Sequence, residues 1–238
     1  MQVLVFEVFG DYGHFRKFFT TSSPLSFAFP PPTSVYGMLG AIIGIQKEEN
    51  PKVFSYENCK VAVGLCNSVQ KVRMGINHIN TKGKNWVPIE KNKHKPRTQV
   101  RFEFVKSPHY RIYVWHSDEK VFDELCENLK KHKTVYTLCL GISELLADFR
   151  FCGIYEASEK QASDDFIEVR TILPVERVTK IKLDTDLKYL KDRVPVFMTE
   201  NREVKIYKDV IFEANSKAVL AMLKERWELG NGEKIVFI

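Results

Sequence analysis

The chain has 238 residues, 44% hydrophobic and 28% charged, with a net charge of +6, which fits one large or two small globular domains with an ordinary core. The longest apolar segment, 38–45, is far too short to span a bilayer, and no basic stretch precedes the first apolar run, so a cytoplasmic protein with no membrane partner is expected. Cys59, Cys66, Cys126, Cys139 and Cys152 form no C-x-x-C pair and have no His at metal-ligand spacing; they read as reduced thiols, and neither metal nor cofactor is expected.

Val3-Leu4-Val5-Phe6-Glu7-Val8-Phe9 is short, β-branched and aromatic, as a buried or half-buried strand is, and Gly10-Asp11-Tyr12-Gly13 ends it as a turn. Phe15, Phe18 and Phe19 are assigned to the core. Pro30, Pro31 and Pro32 run as a stiff polyproline-type lead-in, after which Thr33 or Ser34 caps a helix reaching Gly44. Gly37, Gly40 and Gly44 share one face of that helix at a cost of about 1 kcal/mol each, which implies close packing on a sheet. The helix start also offers N–H donors to an anion.

A second strand begins at 59–66 and continues over 69–76 after a bend. Residues 77–96 hold few apolar side chains and are punctuated by Gly83, Pro88 and Pro96, so they form an exposed hairpin arm. Strict alternation over 98–105 puts Val100, Phe102 and Phe104 on one face of a strand, and 110–115 is the next strand. Ser117-Asp118 starts a helix with Val121, Phe122, Leu125 and Leu129 as its apolar stripe, running to about 131. Residues 134–140 are extended, 147–155 form a strand, and the polar stretch 156–165 marks a domain boundary.

The order strand, helix, strand, strand, helix, strand over 1–155 is the α+β ferredoxin-like plan, which RNA-recognition domains share. Residues 166–238 read as a small, mainly β domain with strands at 168–173, 194–198, 203–212 and 233–238. A helix over 216–227 and a turn at Gly230-Asn231-Gly232 precede its last strand.

Positive charge is concentrated. Between Lys71 and Arg111 stand eleven basic residues against Glu90 and Glu103, an excess of +9, so the rest of the chain, with a total of +6, sums to −3. Such a block is the footprint of a polyanion. Single-stranded RNA is held by cations on phosphates and aromatic faces on bases. Trp86 in the arm reads either as a stacking platform or wedge, or as a satellite cluster with Val87 and Ile89. His14 reads either as a hydrogen-bonding turn residue or as an RNA contact. A metabolic enzyme is excluded: the chain has no Walker loop, strand-borne G-x-G-x-x-G, H-E-x-x-H or nucleophile elbow.

Taken together, Gly10-Asp11-Tyr12-Gly13-His14-Phe15-Arg16-Lys17, the proline loop feeding Tyr36-Gly37-Met38-Leu39-Gly40, the arm ending in Arg97-Thr98-Gln99, and Leu140-Gly141-Ile142-Ser143-Glu144 resemble the fifth CRISPR-associated protein family. That family belongs to the RAMP superfamily and to type I Cascade surveillance complexes of antiviral defence; subtype I-B is the one most resembled. The resemblance implies a palm with a β-hairpin thumb inserted over about 76–99. It also implies binding of the guide RNA 5′ handle, capping of the backbone filament, and partners comprising the backbone subunit, the large subunit and, indirectly, target DNA. The RNA-binding residues it implies are His14, Arg16, Lys17, Ser34, Tyr36, Lys82, Lys84, Trp86, Lys91, Lys93, Lys95, Arg97 and Gln99. A metal-independent endoribonuclease is the alternative, with Tyr36, Lys93, His94 and Lys95 as its catalytic set. The non-catalytic reading is preferred, because lysines around His94 lower its pKa by repulsion.

Overall fold

Six consecutive buried side chains, Val3 to Val8, require a strand covered on both faces, and β1 (Gln2–Phe9) lies inside a six-stranded antiparallel sheet. The computed structural model describes residues 1–20, 22–79, 97–162 and 164–238. After β1 come α1 (Pro32–Ile43), β2 (Cys59–Leu65), β3 (Gln70–Ile79), β4 (Arg97–Lys106), β5 (His109–His116), α2 (Glu119–Lys130) and β6 (Asp148–Gln161). The remainder is β-rich: β7 (Ile167–Val169), β8 (Leu173–Pro174), β9 (Val178–Ile181), β10 (Tyr189–Met198), β11 (Val204–Glu213), β12 (Val219–Leu223), β13 (Glu225–Leu229) and β14 (Lys234–Ile235). The class is mixed α/β with few helices. The main sheet has the order β14-β13-β6-β1-β5-β2, while β3 and β4 leave it to form a separate hairpin.

Alternation along β1 divides the core. Leu4, Phe6 and Val8 face α1 and α2, where they meet Leu39, Ile42, Phe122 and Leu125. Val3 and Val5 face the other way, against Trp227, Leu229, Ile235 and Phe237 from the chain's end. Side chains from the chain's last strands, which belong to the same sheet, therefore cover Val3 and Val5 on that face. Residue 155 does not end β6, which continues to Gln161 and pairs there with β13, Gln161 opposite Glu225.

The helices start for different reasons. Asp118 caps α2, its carboxylate accepting the Lys120 N–H at 2.9 Å, as expected. At α1 neither Thr33 nor Ser34 caps; Pro31 stands at the cap position and Pro32 is the first helical residue, a place where its missing N–H costs nothing. The shared glycine face is also corrected. Gly37 is exposed with open space around it, Gly40 accommodates the Asn50 side chain, and Gly44 ends the helix at φ 81°.

Two further expectations change. Residues 216–227 are strands β12 and β13 rather than a helix, because Val219, Ala221 and Leu223 are buried at a period of two. Phe18 and Phe19 are 52% and 59% exposed, and only Phe15 joins the core. The described cysteines are all free thiols, and no described helix is long and apolar enough to cross a membrane.

Candidate nucleic-acid interface

The hairpin β3–β4 is in continuous register from Gln70 opposite Lys106 to Ile79 opposite Arg97. Its two faces have different chemistry, since residues alternate across a strand. Val72, Met74, Ile76, Val100, Phe102 and Phe104 occupy one face. Lys71, Arg73, Arg97 and Arg101 occupy the other, with Asn77 and Gln99 paired among them. Gly75 makes room for this pairing: a β-carbon there would lie 3.0 Å from the amide nitrogen of Gln99.

Glu103 fixes the base of the basic face. Its carboxylate accepts from Lys71 Nζ at 2.8 Å and from the Ser26 backbone N–H at 3.3 Å, and Arg73 lies 3.7 Å away. Burial raises its pKa, but the Lys71 and Ser26 contacts and the Arg73 charge together bring it below the ordinary value. On the apolar side the base is plugged by His14, whose ring lies 5.1 Å from Phe102 and 5.6 Å from Phe104.

Beside the hairpin, residues 15–27 fold back on themselves. Phe15 pairs with Phe27 and Arg16 with Ser26, so Lys17 emerges next to β10 and ion-pairs with Asp192. Lys17, Lys71, Lys188 and Lys191 line one cleft over Ala28, Val69 and Phe212. The first loop and the hairpin root thus meet at a lysine-lined groove that Asp192 shares, with Lys71 paired to Glu103 and Lys191 to Asp209 at 2.9 Å.

The family model of the CRISPR-associated protein (Cas_Cas5) matches residues 3–207, from the central strand through the hairpin to β11. The chain belongs to that family. A CRISPR protein from Archaeoglobus fulgidus shares its fold at a TM-score of 0.58 and 14% identity, covering 100% of this chain and 99% of that one. A chain of a CRISPR RNA-guided surveillance complex does so at 0.57 and 11% identity, covering 92% and 91%. No curated protein matches the sequence.

Within this Cas_Cas5 chain the residues expected at the RNA site divide. Arg16, Arg97 and Gln99 are exposed, and Lys17 lines the groove with its charge already paired. Of the two readings of His14 the geometry fits the hydrogen-bonding one: it is 2% exposed, its Nδ1–H donates to the Glu103 carbonyl at 2.7 Å, and Nε2 is buried with no partner among the described residues, so it packs at the hairpin base. Burial lowers its pKa and the Arg16 charge adds to this, against the Glu103 carbonyl bond, so the ring is neutral. Tyr36 stands otherwise than expected: it is 4% exposed, donates its hydroxyl to the Cys59 carbonyl at 3.2 Å, and has its pKa pushed up by burial, so its hydroxyl is engaged inside the core. Ser34 is half-buried in the first turn of α1. Lys82, Lys84, Trp86, Lys91, Lys93, His94 and Lys95 lie outside the described residues. Sequence reasoning did not select Arg73, Arg101, Lys188 or Lys191; alternation through 70–79 carried the signal for the first of these.

One further cluster has ligand-type atoms. Glu7, Cys66 and His109 bring an oxygen, a sulfur and a nitrogen within 4.8 Å of one another on the sheet face opposite the helices. The Glu7 carboxylate already accepts from His109 at 2.9 Å and from Arg150, with Arg111 3.3 Å away, and burial pushes the Cys66 thiol up to about 12. Two guanidiniums and a protonated thiol around one buried carboxylate describe an ion-pair network rather than a cation site.

Proposed function

We propose that this protein is a non-catalytic RNA-binding subunit of a type I CRISPR surveillance complex that holds the 5′ handle of the guide RNA. The carrying observation is the two-faced hairpin: Arg97 and Arg101 on one side, with Lys71 and Arg73 sharing Glu103 at its base, apolar residues on the other, rooted in a lysine-lined groove. Cations in register along a strand suit a phosphate backbone, whose charges repeat along the chain. The hairpin acts as the thumb and the main sheet as the palm. The sub-order β6-β1-β5-β2, with helices joining β1 to β2 and β5 to β6, supports a ferredoxin-like palm. Residues 166–238 serve as a β-rich accessory unit on its far face. Fold likeness to a chain of an RNA-guided complex supports assembly with backbone and large subunits, and through them with target DNA. Burial of Tyr36 weighs against the endoribonuclease alternative, which loses its hydroxyl group. Incubating the protein with repeat RNA in chelator tests this: intact RNA is expected, and a specific cut abolished by His94→Ala overturns the non-catalytic reading.

A further inference from the structure

Phe18 and Phe19 are the feature the fold does not use. Two adjacent phenylalanines, 52% and 59% exposed, stand at the tip of a turn built to hold them there. The Lys17 N–H donates to the Leu25 carbonyl at 2.8 Å, the Thr20 hydroxyl to the Lys17 carbonyl at 2.8 Å, and the Arg16 guanidinium to the Thr20 carbonyl at 2.9 Å. These bonds tie Arg16, Lys17, Thr20 and Leu25 together while the rings remain exposed. Their neighbours extend the surface. Phe18 packs on Tyr207 with ring centroids 4.9 Å apart, Phe19 sits edge-on to Phe18 at 5.3 Å, and the Arg193 guanidinium covers Tyr207 at 5.3 Å. Lys17 lies 5.8 Å from the Phe19 ring while its ammonium pairs with Asp192 on the edge strand β10.

An exposed apolar patch marks a binding surface. A patch made of aromatic rings and bordered by the Arg193 guanidinium selects its occupant further. Rings present π faces to flat bases, and guanidiniums suit both the bases and the phosphates between them. Lys17 lies between this patch and the lysine-lined cleft at the hairpin root, lining the cleft while its ammonium stands 5.8 Å from the Phe19 ring.

We propose that Phe18, Phe19 and Tyr207 form a stacking platform for an unpaired nucleobase of single-stranded RNA, with Arg16 and Arg193 on the adjoining phosphates. The inference rests on the RNA-binding reading above and assigns it a base-contacting subsite outside the hairpin. The platform is shared between the first loop and the β-rich accessory unit.

The test measures anisotropy of a short fluorescein-labelled single-stranded RNA, and of the same strand carrying one abasic site moved along it. Phe18→Ala/Phe19→Ala is expected to weaken binding about tenfold with an unchanged salt slope, since base stacking is removed and phosphate pairing is not. One abasic position should cost the parent protein a similar factor and cost the variant nothing more. Phe18→Leu/Phe19→Leu keeps the apolar bulk but not the π faces, and should behave as the alanine pair does. Unchanged RNA affinity in the alanine pair, while Arg101→Glu still weakens binding, overturns the platform and leaves the RNA-binding reading standing. Unchanged affinity in both variants, or no binding by the parent protein, overturns both. Normal RNA binding with failed assembly onto other subunits, rescued by the leucine pair, identifies a protein-docking patch and also overturns the platform.

Discussion

Glu7 shows how one residue couples the sheet to its surroundings. It is 4% exposed, the one charged residue of β1, and His109, Arg111 and Arg150 converge on it from the two neighbouring strands. Burial raises its pKa, but hydrogen bonds from His109 and Arg150 bring the net value below the ordinary 4.5. A carboxylate with a depressed folded-state pKa adds stability that is complete above the unfolded value and disappears as pH falls through the folded one. Urea midpoints should therefore fall as pH drops below about 4.5, and Glu7→Gln should remove about 2 kcal/mol at neutral pH while flattening that acid dependence. An acid profile identical in the variant would assign the loss to other groups. Phe6 marks the opposite extreme: it is fully buried, so Phe6→Ala should cost about 3 to 5 kcal/mol. Phe19→Ala should leave the urea midpoint nearly unchanged. The sequence does not separate these two phenylalanines, since composition records how apolar a residue is and not whether the turn beneath it, closed here by Thr20, points it inward.

At the scale of elements, legibility follows the strength of local rules. The Asp118 cap, the apolar stripe of α2 and the alternation of β4 are written in nearest neighbours, and each forms as the sequence predicts. Asp118→Ala should accordingly cost about 1 kcal/mol, measured by urea melts. The segment before β13 misleads because its lysines and alanine suit a helix locally, whereas its partners Ile167, Val169 and Ile181 are distant in sequence and win by burial. Leu140-Gly141 stands out as a motif in the sequence, but its reason is visible only in the fold. Gly141 sits at φ 102° with the His14 carbonyl 1.9 Å from where a β-carbon would stand, and the Leu140 carbonyl accepts the His14 N–H at 2.9 Å. For the hairpin, Ile79 and Arg97 face each other as the last described pair, so a two-residue Asn-Gly turn can replace 80–96. That variant should keep its melting temperature within a few degrees and bind RNA more weakly. Global unfolding would show that the replaced segment is part of the core.

For the whole molecule, the chain's end completes the sheet that its beginning starts. Trp227, Leu229, Ile235 and Phe237 cover Val3 and Val5, and the Ile238 N–H donates to the Val61 carbonyl at 3.0 Å. A fragment ending at 161 would expose that face, and it should be insoluble or molten when expressed alone. A folded, cooperatively melting fragment would mean that residues 1–161 form a unit that folds without the rest. The basic footprint is legible as composition. Its arrangement is not, because charge counting cannot tell that Arg111 of the same block turns away to Glu7 and Glu233 while Arg73 and Arg101 share the hairpin face.

The central claim, that this face of the hairpin holds RNA by its phosphates, is tested most directly by the salt dependence of guide-RNA affinity for the parent protein and for Arg97→Glu/Arg101→Glu. Weaker binding is expected, with a slope of log affinity against log salt shallower by about one unit for each phosphate that the variant no longer neutralises. An unchanged affinity and slope in a folded variant would contradict it.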